Sequence, residues 1–134
     1  ADILVRPRDR GKIKTILEAE SAIIDDDNEK KAYLTLPKVK FYENGKYTSI
    51  LISESGEIDL NTSDIKALGK CTVETVKNEY LQTRDVTYTA SKKIISSDSD
   101  IKITRDNNVI YGKGFYSDTD LENIVIKNQR TIID

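Results

Sequence analysis

Histidine, tryptophan and methionine are missing from this 134-residue chain, and cysteine occurs once. Without histidine the usual general base and the commonest metal ligand are gone, which weighs against hydrolytic or metal-centred chemistry. The lone Cys71 excludes an internal disulfide framework and any cysteine-rich metal site. Set among alternating polar neighbours in Lys70-Cys-Thr-Val-Glu, it reads as a small buried apolar side chain rather than a reactive thiol. No run approaches the roughly eighteen apolar residues that cross a bilayer as a helix, and no signal-peptide pattern is present. Excess charge of either sign is lacking too. With 21 basic and 23 acidic residues the net charge is −2, and the dispersed Lys and Arg form no basic stripe, so nucleic acid is not an expected partner.

What is present is alternation. The stretch 98–126 contains Ile101 and Ile103 alternating with Lys102 and Thr104, then Asp106-Asn-Asn, which tolerates left-handed backbone, then Val109-Ile-Tyr. Gly112 and Gly114 remove side chains where backbone must bend, and 121–126 begins a further alternating run. The unit predicts strand, turn, strand, turn, strand. Leu36, Ile65, Ile94 and Ile124 recur at a period near thirty, a weak repeat that suggests stacked β-layers with two short strands per unit.

The length suits one domain over 1–134, with 1–10 as a disordered or linker segment and Arg6-Pro-Arg-Asp-Arg-Gly11 as a basic connector broken at Pro7 and Gly11. The segment 12–22 fits either a helical stripe or a bulged strand, and strand is chosen because the downstream array needs no covering helix. The acidic run Asp25-Asp-Asp-Asn-Glu lacks the glycine and closing glutamate of a calcium loop and is read as a solvated turn. Next, Leu34, Leu36, Val39 and Phe41 form an alternating run with Pro37 marking an edge or bulge, and Asn44-Gly45 is the strongest hairpin signal in the chain. Gly56 is expected to break the following strand, Asn61-Thr-Ser is read as a polar turn, and strand signals recur about every eight to twelve residues. The pattern predicts an all-β roll or sandwich without parallel crossovers.

Chemistry is thinly represented. Asp118 with Asp120, and Asp98 with Asp100, sit where short acidic side chains cap turns, and Gly112-Lys-Gly lacks the spacing and hydroxyl of a phosphate loop. A carboxylate hydrolase is the least supported class. No catalytic residue, metal or cofactor is assigned.

Four segments taken in order, Tyr33-Leu-Thr-Leu-Pro-Lys-Val-Lys-Phe-Tyr-Glu-Asn-Gly, Gly56-Glu-Ile-Asp-Leu-Asn-Thr-Ser-Asp-Ile, Ile95-Ser-Ser-Asp-Ser-Asp-Ile-Lys-Ile-Thr-Arg and Gly112-Lys-Gly-Phe-Tyr-Ser-Asp-Thr-Asp-Leu, resemble the LptC family of lipopolysaccharide-export proteins. The resemblance covers about 11–134. It implies a twisted, open-ended antiparallel β-jellyroll of two facing sheets, in the periplasm, anchored to the inner membrane by an N-terminal helix that this sequence does not contain. It further implies a carrier that accepts lipopolysaccharide from the inner-membrane ABC transporter and passes it to the LptA bridge. An LptA-like bridge, or a structural or adhesive β-module without lipid binding, is the alternative.

On that reading the expected lipid-contacting trough comprises Ile50, Ile52, Ile58, Leu60, Val73, Leu81, Val86, Tyr88, Ile101, Ile103, Phe115, Ile124 and Ile126. The alternative for any of them is an ordinary dry core, since every sandwich needs alternating apolar residues. Leu121, Ile124, Val125, Ile126 and Ile132, within 121–133, form the expected C-terminal edge for an LptA-like bridge. The N-terminal strands near 13–24 are expected to face the transporter components, and a second copy of the chain is a further candidate partner.

Overall fold

The computed structural model describes residues 13–131, so the expected linker and Ile132 lie outside the described residues. These residues form ten strands: β1 (Ile13–Glu18), β2 (Ser21–Ile24), β3 (Lys31–Thr35), β4 (Lys38–Glu43), β5 (Lys46–Asp59), β6 (Ile65–Thr75), β7 (Tyr80–Thr89), β8 (Ile94–Arg105), β9 (Asn108–Asp118) and β10 (Ile124–Thr131). All pairings are antiparallel, in a single sheet of order β1-β4-β5-β6-β7-β8-β9-β10, with β2 paired to β3 and β3 to the far half of β5. Among the described residues no helix is long and apolar enough to cross a membrane.

Local chemistry sets the turns. Asn44 and Gly45 have φ of 54° and 79°, and Asp106 and Asn107 have 49° and 67°, so both two-residue hairpins take the left-handed backbone their residue types tolerate. The ambiguous 12–22 segment enters β1 and β2, interrupted at Ala19 and Glu20. Ile65, Ile94 and Ile124 are the first residues of β6, β8 and β10, so the thirty-residue period is one antiparallel strand pair.

A transverse crease turns this single sheet into two facing leaves. The break at Ala19 and Glu20 lies opposite the one at Leu36 and Pro37, because Glu18 pairs with Lys38 and Ser21 with Thr35. Register then shifts at Ser53/Ser55, Ala67/Lys70, Gln82/Thr87 and Ser97/Asp100, each beside the last. The first leaf holds β1, β4 and residues 46–53, 70–75, 80–83, 100–105, 108–113 and 128–131. The second holds β2, β3 and residues 55–59, 65–68, 86–89, 94–97, 115–118 and 124–126.

Bulges strip backbone groups of their ladder partners, and side chains at the crease replace them. On the inner side Ser53 Oγ donates to the Ser55 carbonyl (2.8 Å), Thr83 Oγ to Asp100 (2.8 Å) and Ser97 Oγ to Arg84 (2.7 Å), while Cys71 Sγ approaches the Ala67 and Gly69 carbonyls at 3.4 Å. Carboxylates do the converse work outside: Asp85 accepts from the Gly69 amide at 2.9 Å and Glu54 from the Lys70 amide at 2.7 Å.

Gly56 does not end a strand, contrary to the expectation from sequence; β5 runs through it. A Cβ there would sit 2.8 Å from the Lys66 carbonyl and 3.2 Å from Pro37, so glycine permits the close approach of neighbouring backbone at the crease. Between the leaves lies one apolar cluster that includes Leu17, Phe41, Leu51, Val73, Leu81, Tyr88, Ile103 and Phe115.

Candidate functional site

The inward faces form two continuous rows. In the first leaf Leu17, Val39, Leu51, Val73, Leu81, Ile103 and Ile110 are successive cross-strand partners from β1 to β9. In the second, Ile24, Ala32, Ile58, Ile65, Tyr88, Ile95, Ser117 and Ile124 run from β2 to β10. Inner apolar surface therefore extends from one sheet edge to the other. Its middle is closed, with Ile58, Ile65, Tyr88 and Ile95 at 2% exposure or less, whereas Ile24 at the β2 edge is 56% exposed.

Of the residues expected to line a trough, Ile58, Val73, Leu81, Val86, Tyr88, Ile101, Ile103 and Phe115 are fully buried together in this core. Ile124 and Ile126 are half-buried and pack against it. Three are not inward. Ile50 and Ile52 alternate with the buried Ser49, Leu51 and Ser53, so they belong to the outer face, and Ile52 is exposed. Before the bulge at Ser53/Ser55 the inward residues of β5 are Ser49, Leu51 and Ser53, and after it they are Gly56 and Ile58, so Ile52 and Ile58 lie on opposite faces. Leu60 follows the end of β5 and is exposed.

Several core residues were missed from the sequence: Leu17, Leu51, Ile65, Ile95 and Leu121 are all buried. Leu51 stands between Ile50 and Ile52, and its same-face neighbours Ser49 and Ser53 are polar, so the apolar alternation points to the isoleucines instead. The signal available for Ile65 was its place in the thirty-residue period.

Tyr88 joins the leaves. Its hydroxyl bonds that of Thr15 at 3.1 Å, its ring lies 5.1 Å from Phe41 at 57°, and burial pushes its phenol pKa up. Where the leaf tips meet, segment 119–123 of the second leaf reaches the first. Ser49 Oγ donates to the Thr119 carbonyl, the Arg105 guanidinium donates to the Leu121 carbonyl and pairs with buried Glu79, and Lys77 pairs with Glu122 at 2.7 Å.

At the base of that segment Asp118 and Asp120 brace the turn. Asp118 accepts from the Asn123 backbone amide at 3.1 Å and its side-chain amide at 2.7 Å, and Asp120 accepts from the Glu122 amide at 3.2 Å. Burial, together with the neighbouring Asp118, pushes Asp120 up to about 6; burial also acts against the Asp118 anion, but the Asn123 bonds leave its pKa lowered. Among the described residues no group of three or more carboxylates and cysteines is arranged to hold a metal ion.

Among the described residues three terminal strands have a single ladder partner: β1 pairs with β4, β2 with β3 and β10 with β9. Of the expected C-terminal docking residues, Val125 is exposed on the outer face of β10, with Ile124 and Ile126 facing inward. Leu121 is not part of that edge; it precedes β10 in a left-handed turn (φ 62°) and is fully buried.

A family model described as lipopolysaccharide-assembly, LptC-related, matches residues 6–134. No curated protein matches the sequence. Among solved structures the chain is similar to LptH of Pseudomonas aeruginosa, described as the LptA homologous periplasmic component of the conserved lipopolysaccharide transport device. That likeness has a TM-score of 0.58 at 15% identity over 90% of this chain and 92% of the other, so it speaks to the fold. The family match over nearly all of the chain carries the classification: the protein belongs to the LptC-related lipopolysaccharide-assembly family.

Proposed function

We propose that the protein is a periplasmic carrier in lipopolysaccharide transport, accepting the lipid from the inner-membrane ABC transporter and passing it to an LptA-like bridge. The observation that carries this reading is the inner surface itself: one apolar row runs from Leu17 on β1 to Ile110 on β9, and the other runs from Ile24 on β2 to Ile124 on β10 with Ser117 as its one polar member. An acyl chain entering between the leaves gains about 0.8 kcal/mol per methylene removed from water. Inward Ile58, Val73, Leu81, Val86, Tyr88, Ile101, Ile103, Phe115, Ile124 and Ile126 are its contacts when the leaves part. Ile50, Ile52 and Leu60 are not.

Docking uses the free backbone of the terminal strands. β10 receives the bridge, and β1 with β2 faces the transporter, while an N-terminal helix outside this sequence holds the roll at the inner membrane. The whole sequence acts as one domain behind the linker 1–10.

Saturable binding of labelled lipid A followed by transfer to an LptA-like roll tests both halves. Successive residues of β10 direct their N–H groups alternately toward β9 and the free edge. One of Val125→Pro and Ile126→Pro therefore removes a free-edge donor alone; that variant is expected to fold and bind lipid but lose transfer. Full transfer by both variants rules out docking through β10, and no saturable binding by the parent rules out the carrier.

A further inference from the structure

We infer that residues 119–123 are a strap across the mouth between the leaves, and that the Leu121 side chain is a plug occupying the place that an acyl chain takes when the strap lifts. This rests on the carrier reading above.

The closure is lopsided. At the β2 end of the second leaf the inward Ile24 is 56% exposed, whereas at the β10 end Leu121 is 0% exposed. Leu121 is a loop residue, joined to the core by a left-handed turn rather than by strand pairing. The strap is folded in its own right, since the Leu121 amide bonds the Asp118 carbonyl at 3.3 Å, and Asp118 and Asp120 hold the Asn123 and Glu122 amides. It can swing as a unit without unravelling.

Apart from the packing of Leu121 in the core, polar ties hold the strap to the first leaf: Ser49 to the Thr119 carbonyl, Arg105 to the Leu121 carbonyl, and the Lys77–Glu122 pair, whose two side chains are 64% and 51% exposed. An exposed pair of that kind does little to hold the strap down. Leu121 belongs to the same buried apolar cluster as Phe115 and Ile103, both 1% exposed or less. When the strap lifts, an apolar seat opens that suits a methyl-terminated hydrocarbon chain. Arg105 keeps Glu79 as a partner, so lifting leaves no buried cation unpaired.

The test is a lock. In a Cys71→Ser background, Ser49→Cys and Thr119→Cys place thiols on the two residues that the Ser49 hydroxyl–Thr119 carbonyl bond brings together. Capture of fluorescent lipid A is followed in the reduced and oxidised forms. Oxidation is expected to slow capture about tenfold or more, with reductant restoring it. Equal capture in both forms, with the bridge verified by mass, overturns the strap. If the bridge does not form, Arg105→Gln decides: loss of the bond to the Leu121 carbonyl should speed capture severalfold at unchanged fold by circular dichroism, and an unchanged or slower rate overturns the proposal. No capture by any form, parent included, sinks the carrier reading itself, an outcome distinct from equal capture.

Discussion

Tyr88 on β7 and Thr15 on the edge strand β1 are 73 positions apart in sequence, yet their hydroxyls hydrogen-bond at 3.1 Å inside the apolar core. Each hydroxyl is the other's relief from burial. Phe at position 88 keeps the ring against Phe41 but orphans the Thr15 hydroxyl, so Tyr88→Phe is expected to cost about 1–3 kcal/mol in denaturant unfolding. Adding Thr15→Val should recover most of it, since neither group then lacks a partner. A double variant as unstable as the single one would contradict this account of the pair.

The crease depends on hydroxyls that stand in for lost ladder bonds. Thr83→Val and Ser97→Ala leave the Asp100 and Arg84 carbonyls without those donors, at an expected cost of about 1–2 kcal/mol each. Because the two lie on neighbouring strands of one crease, a double-mutant cycle should show coupling. Hydrogen exchange should quicken first at the amides flanking the crease, and unchanged exchange there is the contrary result.

Asp120 titrates in a useful range. Its folded-state pKa, about 6, lies above the ordinary 3.8, so the folded protein holds this proton more tightly than the unfolded chain. The resulting stabilisation is complete below 3.8 and disappears as pH rises through about 6. Asp118 has the opposite sign: its lowered pKa gives stability above 3.8 that is lost on acidification. Asp120→Asn mimics the protonated acid, keeping an acceptor for the Glu122 amide. Between pH 3.8 and 6, parent stability should fall relative to this variant, as chemical denaturation at each pH would show. Parallel profiles would mean that burial does not hold the proton on Asp120.

The outer position of Ile52 is checked against Ile58, six residues along the same strand. Ile58→Ala should cost about 2–5 kcal/mol through its cavity, while Ile52→Ser should stay within about 0.5 kcal/mol of the parent. Similar losses at both sites would put β5 in a different register.

Those two residues also mark how far the sequence could be read. Alternation and Asn-Gly and Asp-Asn turns disclosed an all-β roll, and Ile65, Ile94 and Ile124 disclosed its strand-pair unit, because both signals are local. Parity across a bulge is not local. Nothing in Ser53-Glu54-Ser55 announces that the inward face changes there, so Ile50 and Ile52 were placed inside and Leu51 was passed over. Leu121 failed for a similar reason: beside an alternating run it looks like the start of a strand, whereas a left-handed turn directs it into the core. The rows of inner residues needed register, which depends on pairings far apart in the chain.

In a carrier of this build lipid passes between the leaves. A photo-crosslinking amino acid placed singly at Ile58, Val86, Ile103 and Phe115, with exposed Lys92 and Ile52 as controls, reports it directly on exposure to purified lipopolysaccharide. The carrier account predicts adducts at the four inner positions and none at the controls. Adducts at neither set, in protein that circular dichroism shows to be folded, would mean a permanently dry core and a structural β-module instead.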